Sequence, residues 1–142
     1  MRAALPTLWW LEPSAGDIVW CVFPDLPSLE PGRKPRPVLI VKVFDDAAPE
    51  FGVSVACGTS QRTDRLFAGE FAIRKQNDAV AYRLAGLSYD TKFCFNQMFQ
   101  LPFNDTWFKA PPNAPFGQTP KLGLLHPSLT ARVSAAWAAA KS

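Results

Sequence analysis

Gly16-Asp17-Ile18-Val19-Trp20, followed after a proline-rich interval by Gly32-Arg33-Lys34-Pro35-Arg36-Pro37-Val38-Leu39-Ile40-Val41, decides how this chain folds. It reads as strand, basic loop, strand. Each proline between Pro24 and Pro35 lacks a ladder donor and fixes φ, so the interval cannot continue either strand and must stand out from the sheet. Arg36 lies between two prolines where the loop re-enters the core, which restricts its backbone and leaves its guanidinium able to reach an exposed anion.

Working outward, Asp17 to Phe23 and Val38 to Phe44 are apolar at nearly every position, as expected of strands buried on both faces or lying inside a small barrel. Gly52 to Cys57 supplies a third strand, closed by the turn-prone Gly58-Thr59-Ser60-Gln61, and Leu66 to Ile73 a fourth, with a bulge expected at Gly69. Thr91 to Leu101 alternates. Phe93, Phe95, Phe99 and Leu101 fall on one side, with Gln97 the polar exception, and Cys94, Asn96, Met98 and Gln100 fall on the other. The stretch 110–120 is a loop by its prolines. From Pro127 to about residue 141, Leu129, Val133 and Trp137, with Leu125 one turn back, recur every fourth residue in an alanine-rich setting and predict one amphipathic helix docked on the barrel. The expectation is a mainly β (α+β) single domain spanning 1–142, with a barrel over about 14–108.

Composition agrees with that class and excludes others. With 142 residues, 48% apolar and 19% charged, the chain can bury a core without staples. Cys21, Cys57 and Cys94 are odd in number, far apart and set in apolar runs, which supports neither a disulfide framework nor a zinc site and fits a reducing cytoplasm. The opening stretch Met1 to Leu11, interrupted by Pro6 and ended by Glu12, is too short for a secretory signal or a membrane span and reads as part of the fold. A net charge of +3 is mild, but its placement is uneven: Arg33, Lys34 and Arg36 share one loop, Arg62 and Arg65 a second, Arg74 and Lys75 a third. That pattern suits a face that meets a polyanion, and it also suits loops that are simply solvated.

Chemistry is concentrated in two loops. Arg36 follows the first, and Thr59, Ser60 and Gln61 form the turn after the third strand, so a compact barrel can bring them to one rim. Guanidinium, hydroxyl and amide donors together suit a phosphodiester, whose transition state spreads negative charge over oxygens. The plainer alternatives are a surface ion pair for Arg36 and turn-forming hydroxyls for Thr59 and Ser60. His126, the single histidine, precedes Pro127 at the helix start and reads as a cap, which rules out a histidine-pair ribonuclease. The cysteines read as small packed residues, Trp107, Phe108 and Phe103 as core or dimer surface, and no Walker or Rossmann phosphate cradle is present.

These residues carry a resemblance. Gly16 to Trp20, Arg36-Pro37-Val38-Leu39-Ile40, Thr59-Ser60-Gln61, Gly86-Leu87 with Asp90-Thr91, and Asn96-Gln97 resemble in order and spacing the MazF/PemK family of type II toxin–antitoxin systems, over roughly residues 14 to 101. The resemblance implies an SH3-like antiparallel barrel of five to seven strands with a C-terminal helix. It also implies a homodimer and a cofactor-free, metal-independent endoribonuclease that cuts single-stranded RNA. Its partners would be RNA and a cognate antitoxin, with DNA met only through that antitoxin and no membrane. Arg36 and Thr59 match the family's catalytic arginine and threonine. Cleavage would then give a 2′,3′-cyclic phosphate, with Arg33, Lys34, Ser60, Gln61, Arg62, Asn96 and Gln97 implied as RNA contacts. Asn96 stands where many members carry an acidic residue, so a carboxylate supplied there is absent from this chain. Two rival readings are a non-catalytic RNA- or protein-binding module on the same barrel and a gyrase-poisoning toxin. The chain's Ala-Lys-Ser ending, without a terminal tryptophan motif, weighs against the second rival.

Overall fold

The computed structural model describes residues 7–22, 24–25, 30–31 and 34–141. In chain order the elements are β1 (Asp17–Cys21), β2 (Pro24–Asp25), β3 (Glu30–Pro31), β4 (Arg36–Phe44), β5 (Gly52–Thr59), β6 (Glu70–Ile73), α1 (Ala79–Leu84), β7 (Thr91–Pro102) and β8 (Lys121–Leu124). A 3-10 turn (Pro127–Leu129) leads into α2 (Thr130–Lys141). Six strands form one antiparallel sheet in the order β6-β7-β5-β4-β1-β8, curled into a half-barrel, while β2 and β3 pair with each other in a separate ribbon. The proline-bearing interval therefore leaves the sheet.

Both faces of the sheet are buried, which explains why β1 and β4 are apolar at successive positions. Ile18, Leu39, Ala56, Phe71 and Phe93 point to the face covered by α1 and α2; Val19, Val38, Ile40, Val53 and Val55 point to the other, closed by Phe51, Phe103, Phe108 and Trp10. The Trp10 indole donates to the Phe108 carbonyl at 3.0 Å, so the N-terminal segment is stitched across that second face. Phe103 and Phe108 are core residues.

The C-terminal helix docks as its spacing predicts. Leu125, Leu129, Val133, Ala136, Trp137 and Ala140 all pack on the first cluster, and Trp137 meets Phe95 edge-on with centroids 5.2 Å apart. Arg132 then pins the helix from its flank. It donates to the Ala72 carbonyl at 2.9 Å and forks onto both Asp78 oxygens at 3.0 and 3.1 Å.

Two expectations need correction. The fourth strand is shorter than Leu66 to Ile73: it starts at Glu70, and Gly69, with φ 89°, sits in the preceding turn, where Phe67 N donates to Glu70 Oε1 at 2.8 Å, rather than at a bulge. On β7, simple alternation fails. Ala56 pairs with Met98 but Cys57 pairs with Cys94, so 95–97 are extra residues on β7 and the facing parity changes across them. Phe93, Phe95 and Met98 consequently serve the helix-covered cluster, while Phe99 and Leu101 serve the opposite one.

Beyond the strands and helix read from the sequence, the structure adds the β2–β3 ribbon, α1 and β8. The helix α1 ends at Leu84 with Ala85 as its C-cap, followed by Gly86 in the left-handed region at φ 72°, whose N–H bonds back to the Arg83 carbonyl. A Cβ at Gly86 would also collide with the Leu122 carbonyl, so glycine is required for both conformation and closeness to β8. β8 adds a sixth strand by pairing with β1 after the proline-rich loop.

Candidate active site

The β4–β5 ladder sets the geometry. Val38, Leu39 and Ile40 pair with Cys57, Ala56 and Val55, a constant register that, continued two residues outward, sets Arg36 across from Thr59. Cross-strand partners share a face. Pro37 then faces Gly58, which must be glycine for a different reason: a Cβ would collide with the Pro37 carbonyl and lie 2.9 Å from Phe93 Cε1. Close approach of the two strand ends thus brings the arginine and the threonine to one rim.

A cavity of about 280 Å³ opens at this rim. Its polar lining is Lys34, Arg36, Thr59, Ser60 and Gln61, with Ser88, Thr91 and Asn113, and its apolar and aromatic lining includes Trp20, Leu87, Tyr89, Pro111 and Pro112. Arg36 and Lys34 are exposed, and among the described residues Arg36 makes no ion pair or side-chain hydrogen bond. Thr59 is half-buried. Its Oγ1 accepts from Gln61 N at 3.1 Å, which fixes the turn and leaves the hydroxyl proton for an incoming acceptor. Hence two cations and a group of hydroxyl and amide donors converge without a carboxylate or imidazole among the cavity's described residues, a set suited to an anion. Among the described residues no group of three or more His, Cys, Asp or Glu is placed to hold a metal ion.

The neighbouring charges are spoken for. Lys92, opposite Thr59 on β7, is buried and bonds Glu70 at 3.0 Å and the Arg65 carbonyl at 2.9 Å, so it serves the fold. Arg74 donates to the Thr63 carbonyl. Burial pushes the Cys57 thiol up to about 11, with the Arg36 charge opposing in part, and burial raises Cys21 further. Neither is an activated nucleophile. His126 caps the 3-10 turn, its Nδ1 accepting from Ser128 N at 3.0 Å, as its position before Pro127 predicts.

Of the residues singled out in the sequence, the cavity brings together Arg36, Thr59, Lys34, Ser60 and Gln61. Arg62, exposed with φ 52°, Asn96 and Gln97 are not among its lining residues; Asn96 Nδ2 donates to the Ala68 carbonyl at 2.7 Å at the β7 bulge. Arg33 lies outside the described residues. Trp20, Tyr89 and the 111–113 segment were not expected at the site. A paired Pro-Pro followed by Asn is an ordinary loop signal, and it is the bonding of residues 107–109 and of β8 to β1 that brings that loop to the rim.

No protein-family model and no curated protein sequence matches the chain. Among solved structures the fold is similar to an endoribonuclease in complex with its cognate antitoxin from a mycobacterial species, with a TM-score of 0.56 and 19% identity over 92% of this chain and 95% of that one. At that identity the likeness establishes the fold.

Proposed function

We propose that the protein is a toxin-like endoribonuclease of a toxin–antitoxin system, of the MazF/PemK kind, that cleaves single-stranded RNA without a metal ion. The observation that carries the reading is that Arg36 and Thr59, at the adjoining ends of β4 and β5, line one cavity supplied with cationic and hydroxyl donors. The fold shared with an endoribonuclease bound to its antitoxin supports it, and supports an antitoxin as partner. A cytoplasmic homodimer built from one domain belongs to the same proposal. Among the described residues, no helix is long and apolar enough to cross a membrane.

In this mechanism the RNA 2′-oxygen attacks the adjacent phosphorus while its proton passes to solvent. The bond from phosphorus to the 5′-oxygen breaks, that oxygen takes a proton from water, and the products are a 2′,3′-cyclic phosphate and a free 5′-hydroxyl. Arg36 donates its fork to the non-bridging oxygens as charge accumulates on them; a guanidinium is too weak an acid at neutral pH to protonate the leaving group. Thr59 donates its hydroxyl proton to the same phosphate, and Lys34 holds a flanking one.

The test is cleavage of a long single-stranded RNA by the wild type, Arg36→Ala and Thr59→Ala, with circular dichroism to confirm folding. Loss of cleavage in both folded variants is expected. Cleavage unaffected by either substitution removes the assignment, and RNA that is bound but left intact by the wild type moves the protein to the non-catalytic module.

A further inference from the structure

We propose that Tyr89 and Asn113, which line the same cavity as Arg36 and Thr59, form a nucleobase subsite, in which Tyr89 stacks on the unpaired base attached to the bound phosphate and Asn113 meets that base's edge. The inference rests on the RNA reading above and adds what that reading does not supply, the group that recognises the base. A phosphate site needs donors and charge. It does not need the apolar groups Trp20, Leu87, Pro111 and Pro112 that line the same cavity.

Tyr89 is 71% exposed although it borders a concave site, so a large aromatic surface is left to water where an incoming ring can cover it. Its backbone is nevertheless anchored. Thr91 Oγ1 donates to the Tyr89 carbonyl at 2.8 Å, and the next residue, Asp90, accepts from Lys75 N at 2.8 Å. Segment 111–113 is held equally well: Lys109 N bonds the Trp20 carbonyl at 3.1 Å and Ala114 N the Pro111 carbonyl at 3.0 Å, while two prolines limit the backbone between them. Little ordering entropy is therefore lost when a base enters. Asn113, exposed at the mouth, offers an adjacent donor and acceptor, the pair that matches a base edge. An apolar peptide side chain would match the apolar lining and leave Lys34 and Arg36 without an anion, which is why the occupant is a nucleotide's base.

The experiment measures affinity for two uncleavable eight-nucleotide probes, a 2′-fluoro RNA and the same sugar–phosphate chain without bases. For wild type the base-bearing probe binds more tightly. Tyr89→Ala is expected to weaken that probe by about 5- to 100-fold and to leave the baseless chain unchanged, whereas Tyr89→Phe retains affinity, because stacking needs the ring and not the hydroxyl. Asn113→Ala shifts affinity among probes of different base composition. Arg36→Ala weakens both chains alike. Unchanged affinity in Tyr89→Ala, or equal loss on both chains, overturns the subsite while leaving the RNA reading intact; wild type that binds neither chain ends both.

Discussion

Arg36 opens β4 as an exposed cation with no ion pair among the described residues, so its removal leaves the fold nearly untouched. Arg36→Ala is expected to change stability by less than about 0.5 kcal/mol, as for an ordinary surface site. Its cost in cleavage is about 100- to 1000-fold, the usual loss when a donor to a developing oxyanion is deleted. Arg36→Lys restores the charge and not the planar fork, and recovers only part of the rate. Rates at saturating RNA, beside thermal melts, check all three. Two strand positions away from Thr59, the Cys57 thiol makes a separate prediction. With its pKa pushed up to about 11 by burial, alkylation at pH 7 is slow and its rate rises about tenfold per pH unit until that value is approached. A plateau near the ordinary thiol value of about 8.5 contradicts the buried placement.

At the level of elements, the site depends on how closely β4 and β5 approach. Gly58→Ala places a methyl against the Pro37 carbonyl and the Phe93 ring, and is expected to destabilise the protein by about 1–3 kcal/mol while separating Arg36 from Thr59. Cleavage in the folded fraction should fall together with stability, as read by urea unfolding and activity on one sample. The clasp between Asp78 and Arg132 acts on α2. Hydrogen bonds from Arg132 hold the Asp78 carboxyl below the usual carboxylate range, so its contribution is present above the unfolded value near pH 4 and is lost as pH falls through the folded one. Asp78→Asn should flatten the acid limb of the stability curve by roughly 1 kcal/mol, a small figure because Arg132 is partly open to water. Of these elements, β1, β4 and α2 were legible because burial on both sheet faces, or on one helix face, is written in local periodicity. The helix α1 was not read from the sequence: it is six residues long, Asp78 precedes it without a side-chain cap bond, and Ala81, Tyr82 and Ala85 are buried only by packing on the sheet. β8 was not legible, since Lys121-Leu122-Gly123-Leu124 becomes a strand only by pairing with β1 about a hundred residues earlier. The change of facing in β7 was equally hidden, because the bulge at 95–97 is fixed by the partner strand.

For the molecule as a whole, the half-barrel brings the ends of β4 and β5 to one cavity whose lining combines charged, polar and aromatic groups. The arginine and threonine were readable as residues flanking strand ends; the 111–113 wall was not, because its place beside Trp20 is tertiary. If Lys34 and Arg36 each neutralise one phosphate, log affinity for single-stranded RNA falls against log salt with a slope of about −1.4 from these two, and Arg36→Ala removes about 0.7 of it. An unchanged slope in that variant would separate Arg36 from the RNA. The most direct test of the central claim uses two RNA chains that differ only at the cut site, one all-ribose and one with a single 2′-deoxy sugar there, incubated with the protein in excess chelator. The account predicts that the first is cut to a 2′,3′-cyclic phosphate and a 5′-hydroxyl and that the second stays whole at that position; equal cutting of both, or an all-ribose chain that survives intact, contradicts it.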